Sequence, residues 1–248
     1  MTTPKSVIVV AGVGNGRGTG AAAARLFAKE GYAVAIVARG ADAINNLSDE
    51  INKAGGEAAA FHLNSYSYDD VTAAWTSIKQ KFSRSSYEIR AAIWNVGHSA
   101  FKKFMDITPQ DIVETAEANM NGAFAFSKQA IIAFQENTIE KESGAKGTLI
   151  FTGATASLRG NVTTSIFAAG KFALRALSQS LNKAYGKENI HVAHAVIDGA
   201  IDTDRLPNDP EAVRLGPDSI AKSYMYLVKQ DIFAWSWELD LRPAHEKW

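Results

Sequence analysis

The residues Ala11-Gly12-Val13-Gly14-Asn15-Gly16-Arg17-Gly18 stand between an apolar run, Val7 to Val10, and an alanine-rich segment, Ala21 to Lys29. A strand, a glycine turn and a helix start in that order constrain the fold more than any other stretch of the chain. Glycines at 12, 16 and 18 permit dihedrals closed to other residues. They also let the backbone approach a pyrophosphate and let the helix pack closely on the strand. The free N–H groups and the helix dipole then favour negative charge at that point. Gly12, Asn15, Gly16, Arg17 and Gly18 are therefore candidate contacts to a dinucleotide phosphate. The plainer reading is a tight strand-to-helix turn with no ligand.

The elements that follow alternate. Ala33 to Ala38 is a continuous apolar run of the kind buried parallel strands show. Ala41 to Ala54 has helical periodicity through Ile44, Leu47 and Ile51, and Gly55-Gly56 closes it. Glu57 to Leu63, Ile89 to Trp94, Gly147 to Thr152 and His191 to Ile197 read as further strands. Asp69 to Phe82, Ser165 to Gly186 and Ser219 to Lys229 read as helices, and Pro109 to Gln135 as one long helical region or two abutting ones. From Trp235 to Arg242, apolar and polar residues alternate in a half-exposed strand pattern. The order predicts a single α/β domain over residues 1–248, a Rossmann-type, doubly wound parallel sheet with helices on both faces. No repeat or linker divides the chain.

Composition narrows the chemistry. The 248 residues are 46% hydrophobic, enough for one well-covered core. Basic and acidic residues balance at 26 each, which gives no sign of a nucleic-acid or anionic-membrane partner. With no cysteine, disulfides, thiolate catalysis and cysteine metal sites are excluded, and no metal site is expected. Met1 to Lys5 runs straight into the first strand without a signal-type apolar region, and no apolar run reaches bilayer length. The expectation is a soluble, cytoplasmic protein.

The end of the second strand bears on the cofactor. An acid there binds the ribose hydroxyls of NAD(H), whereas an arginine accommodates the 2′-phosphate of NADP(H). The chain has Ala38-Arg39 and no acid, so NADP(H) is expected, with Arg17 as a second cation. Either arginine also reads as a solvated surface charge. Asn64 and Ser65, after the third strand, are expected near the adenine ring.

Over essentially its whole length the chain resembles the short-chain dehydrogenase/reductase family. Ala11-Gly12 to Gly18 resembles that family's TGxxxGxG turn. Trp94-Asn95-Val96-Gly97 resembles its NNAG motif, and Asn119 matches its helix asparagine. Asp198-Gly199-Ala200-Ile201-Asp202-Thr203 resembles its PGxxxT segment. The resemblance implies cofactor contacts at Asn95, Gly97, Lys171, Gly199, Ile201 and Thr203, a small-molecule substrate, and a homodimer or homotetramer built on the two long helices. It also implies a Ser–Tyr–Lys–Asn tetrad. Lys171 and Asn119 are present, but Phe167 stands at the tyrosine position and Ala154 at the serine position. Thr152 or Thr155 takes the serine's place only with a shift of register.

Hydride delivery to a ketone creates an alkoxide that a donor must hold or protonate. Phe167 and Ala154 supply none, so the expected function divides. One reading is an atypical NADP(H)-dependent oxidoreductase acting on a C=N, C=C or C=O group. The other is a non-redox enzyme (cyclase, isomerase or lyase) or an inactive NADP-binding subunit. Besides Lys171 and Asn119, the candidate catalytic groups are His98 and Asp198, with Ser165 third. His98 also reads as a structural histidine and Asp198 as a loop cap. His191 and His194, three apart on a strand, point to opposite faces and do not suggest a shared metal. Trp235 and Trp237 are expected to share a face, in the core or at a subunit interface. Ser99 to Met105 and Asp204 to Leu215 are expected to wall the substrate pocket, with Asp202 to Pro210 as a lid.

Overall fold

The computed structural model describes residues 3–98, 100–203 and 212–245. Seven strands form one parallel sheet: β1 (Lys5–Ala11), β2 (Ala33–Ala38), β3 (Glu57–His62), β4 (Tyr87–Trp94), β5 (Gly147–Thr152), β6 (Ile190–Ile197) and β7 (Glu238–Leu241). Their spatial order is β3-β2-β1-β4-β5-β6-β7. The order reverses between β1 and β4, and ligand crevices open at such switch points, beyond the carboxyl ends of the strands. The expected doubly wound fold is present.

Among the described residues, seven α-helices cover the two faces: α1 (Thr19–Lys29), α2 (Ala41–Lys53), α3 (Tyr68–Lys81), α4 (Pro109–Ala116), α5 (Gly122–Gln135), α6 (Ser165–Tyr185) and α7 (Pro217–Lys229). Alternate residues of each central strand feed opposite cores. Ile8 and Val10 pack with Phe27, Leu47, Ile220 and Leu227 under α1, α2 and α7. Val7 and Val9 pack with Trp75, Phe126, Phe134 and Leu174 under α3, α5 and α6. Trp75 and Phe126 meet edge-on at 5.2 Å. Burial of each such side chain stabilises the fold by roughly 2–3 kcal/mol. Because both faces are covered, β1 and β2 read as continuous apolar runs.

Pro109 to Gln135 is two abutting helices: a π-helical turn, Glu117–Asn121, separates α4 from α5 and carries Asn119. Two expectations need correction. The C-terminal strand is shorter than the alternation from Trp235 suggests, because a short helical turn, Ile232–Ala234, precedes it. Trp235 therefore stacks on His191 at 4.9 Å and 7°, whereas Trp237 lies under the Arg175 guanidinium on α6. The two tryptophans do not share a face. His191 and His194 do point apart: His191 meets carbonyls of Leu227 and Ser236, and His194 Nδ1 meets Glu238. Among the described residues no helix is long and apolar enough to cross a membrane.

Candidate functional site: a cavity at the strand ends

A cavity of about 710 Å³ opens over the carboxyl ends of β1, β2, β4, β5 and β6. Its floor at one end is the glycine turn. Gly12, Gly14 and Gly16 have φ of +88°, +56° and +85°, in the region that favours glycine. Gly20 lets α1 approach β1, since a Cβ there would lie 2.1 Å from the Gly12 carbonyl oxygen. Asn95 Nδ2 donates to that same oxygen at 2.7 Å, tying the end of β4 to the turn. α1 has no side-chain cap at Gly18, so its first N–H groups are left for another acceptor. Thr19 Oγ1 is buried there without a partner. An open turn, a helix N-terminus lacking a cap and an orphaned hydroxyl together fit a pyrophosphate.

Arg39, exposed at the end of β2, also lines the cavity, and its guanidinium lies 4.9 Å over the Tyr66 ring. Nothing in the linear pattern marks Tyr66 as a partner of Arg39, because the contact crosses from β2 to the loop before α3. Arg17 does not line the cavity: its backbone N–H closes onto Asn15 Oδ1, and its side chain is not brought to the site. Asn64 and Ser65 are not brought there either. Asn64 lines a separate cavity of about 350 Å³ beside α3. Ser65 is held by Asp70, which accepts from both its backbone N–H and its hydroxyl. Ser65 is thus tied into the start of α3, where the N-cap Ser67 accepts from the Asp70 N–H.

At the other end stand the residues of the expected tetrad. Lys171 is fully enclosed and donates to the carbonyls of Thr152 (2.9 Å) and Val96 (3.3 Å). Burial pushes its pKa down to about 8. Gly97 makes room for it, since a Cβ at that position would sit 3.3 Å from Nζ. Asn119 Nδ2 donates to the Thr115 carbonyl one turn back, while its Oδ1 is buried without a partner. Phe167 faces the cavity one turn before Lys171 and packs on Phe101 at 5.4 Å. Ala154 lines the wall, as do Thr152 and Thr155, whose hydroxyls meet Tyr224 and Asp198. Gly199, Ile201 and Thr203 also line the cavity, and the Thr203 methyl is 3.8 Å from where a Gly18 Cβ would be.

The structure does not bring His98 to the cavity. Its Nδ1 lies 3.0 Å from Glu114 and its Nε2 3.8 Å from Asp111, so it faces α4. Lys102 and the Thr108 cap hold the Asp111 pKa far below the usual carboxylate range. Asp198 is buried below the wall as a structural anchor, not a free acid. It is ion-paired to Arg242 at 2.6 Å and accepts from Thr155 Oγ1, and its N–H donates to Leu241. Arg242 lies past the last strand, so no local signal announced this pairing. Ser165, half-buried at the start of α6 with its hydroxyl oxygen enclosed and unpartnered, does not line the cavity. Of the expected substrate walls, Phe101 is in place. Ser99, and Asp204 to Glu211 with most of the expected lid, lie outside the described residues.

Arg159, Asn161 and Thr164, in the connection between β5 and α6, line the cavity, although their residue types mark nothing in the sequence. With Arg39 and Lys171, Arg159 makes a third cation on the wall. No described lining residue is acidic.

The comparisons with known proteins agree with this architecture. A family model described as short chain dehydrogenase matches residues 6–213. An uncharacterised oxidoreductase of Bacillus subtilis, YxnA, is 26% identical over 242 residues; the match covers 92% of this chain but only 64% of that protein. The chain thus spans under two thirds of that relative's length. L-rhamnose 1-dehydrogenase (NAD(P)(+)) of Azotobacter vinelandii is 30% identical over 241 residues, 90% of this chain and 89% of the relative. An alcohol dehydrogenase of the archaeon Thermococcus sibiricus, complexed with 5-hydroxy-NADP, superposes with a TM-score of 0.82 over 99% of both chains at 23% identity. With the family model spanning most of the sequence, this chain belongs to the short-chain dehydrogenase family, a family of oxidoreductases.

Proposed function

We propose that the chain is an NADP(H)-dependent oxidoreductase with a non-standard reaction centre, acting on a polarised double bond of a small molecule. The supporting observation for the cofactor is Arg39. It ends β2 without a neighbouring acid, stacks over Tyr66, and lines the cavity that begins at the glycine turn. A guanidinium there suits a 2′-phosphate, through charge and paired N–H donors. The NADP analogue held by the archaeal neighbour is consistent with this reading. The turn residues Gly12, Asn15, Gly16 and Gly18 would hold the pyrophosphate, and Asn95, Gly97, Lys171, Gly199, Ile201 and Thr203 the nicotinamide half.

When bound, the nicotinamide supplies a hydride. The chain's own residues decide which acceptor suits it. Phe167 and Ala154 offer no proton donor, which against a positioned acid costs about 10²–10⁴ in rate, roughly 3–5 kcal/mol of barrier. Lys171, buried and carrying two carbonyl partners, lies nearest the reaction centre. The described wall carries cations and no acid, so it stabilises negative charge that develops on the acceptor. That favours a C=C bond conjugated to a carbonyl, or a C=O bond, over a cationic C=N acceptor.

Quenching of the five tryptophans during titration with NADPH and NADH tests the cofactor assignment. NADPH is expected to bind at least ~10-fold more tightly than NADH, with that preference lost in Arg39→Ala. Binding of neither nucleotide would overturn the reading. The alternative is a non-redox enzyme or a catalytically inactive NADP-binding subunit, and the joint presence of Ala154 and Phe167 favours it. Turnover of a substrate without NADPH consumption would establish the non-redox enzyme. We further take the protein as a cytoplasmic homodimer or homotetramer.

A further inference from the structure

We propose that the substrate carries a carboxylate and that Arg159 binds it at the rim of the cavity. This inference rests on the reading of the cavity as a cofactor and substrate site. Of the three cations on the wall, Arg39 lies at the glycine-turn end and Lys171 is enclosed with two carbonyl partners. Among the described residues, Arg159 is the lining cation whose guanidinium makes no hydrogen bond, and its side chain is 57% exposed. Its ion-pair partner, Asp198, is 3.9 Å away, beyond hydrogen-bond reach, and is already served by Arg242 at 2.6 Å and by Thr155. Asp198 thus orients Arg159 without occupying its N–H groups.

The surroundings say what kind of anion fits. Asn161 lines the same wall; its Oδ1 accepts from the Val162 N–H, which leaves the amide NH₂ to donate outward. One planar guanidinium and one amide match the two oxygens of a carboxylate. Thr164, the uncapped start of α6, lines the same cavity, so a phosphate is the competing anion, and the flat pairing of one guanidinium with one amide favours the carboxylate. Between Arg159 and Lys171, Phe101 and Phe167 form an apolar wall. The complementary molecule is a monocarboxylate with an apolar or aromatic body whose unsaturated carbon lies toward Lys171.

The test compares cinnamate with cinnamamide, and trans-2-hexenoate with its amide, by calorimetric titration of the intact protein with and without saturating NADP⁺. Each acid is expected to bind at least ~10-fold more tightly than its amide, the preference falling to about unity in Arg159→Gln, and Arg159→Lys retaining part of it. NADP⁺ affinity in Arg159→Gln should equal that of the wild type, which also reports that the variant folds. Equal binding of acids and amides, binding of neither, or an unchanged preference in Arg159→Gln would each overturn the proposal. Tighter binding of phenyl phosphate than of both acids would overturn the carboxylate assignment. Failure of the cofactor reading is separate: it appears as absent NADP⁺ binding while the acid-over-amide preference of the free protein persists.

Discussion

Phe167 and Lys171 stand one turn apart on α6, and their contrast sets the chemistry of the proposed reaction centre. The ring offers no proton, while the amine is buried with two carbonyl partners. If only the missing donors limit carbonyl reduction, Ala154→Ser with Phe167→Tyr should raise NADPH-dependent ketone reduction by about 10²-fold or more, read as NADPH loss. No gain would show that the cavity no longer places a ketone against this wall. The lysine also makes a pH prediction. Its folded pKa of about 8 lies below its ordinary value of 10.5, so between those limits the unfolded chain binds more protons than the folded one. Stability from this residue therefore rises with pH across that window, and is lost as pH falls toward 8. Urea titrations from about pH 8 to pH 10 should move the stability difference between wild type and Lys171→Met in favour of the wild type, by about 2 kcal/mol. Both residues were legible in the sequence. The anchoring of Asp198 by Arg242 and the turn of His98 toward α4 were not, since each depends on a partner from another element.

At the scale of elements, the site depends on how closely α1 approaches β1. A Cβ on Gly20 would fall 2.1 Å from a backbone oxygen that Asn95 already holds, so neither side can yield cheaply. Gly20→Ala should cost at least about 3 kcal/mol in urea denaturation and weaken NADPH binding with it. Element identities were readable where both faces of a strand are buried or where one stripe of a helix is apolar, as in β2 and α2. They were less readable where a local rule met a tertiary one. The π-helical turn at Asn119 leaves no trace in an apolar pattern that runs on from α4 to α5. The alternation from Trp235 looked like a strand, but its first tryptophan stacks on His191 instead.

Taken whole, the molecule leaves an apolar surface on the helices expected to join subunits. Val113 on α4, Met120 on the π-helical turn, Phe124 on α5 and Phe172 on α6 are all exposed in the single chain. If these faces meet in a homodimer or homotetramer, sedimentation should give two or four times the chain mass. Phe124→Glu with Phe172→Glu should then give a monomer that retains its fold by circular dichroism. Exposed apolar residues in such a grouping commonly mark an interface.

The fold class, the glycine turn and Arg39 at a strand end were all determined by the sequence alone. Each is a local signal: a period, a spacing, or a residue type at a motif position. Which polar residues face the cavity was decided only by tertiary structure. Asp198, Ser65 and His98 are spent on Arg242, Asp70 and Glu114, whereas Tyr66, Arg159 and Asn161 line the wall. A polar side chain takes the partner that the packed chain brings nearest, and no linear pattern records that distance.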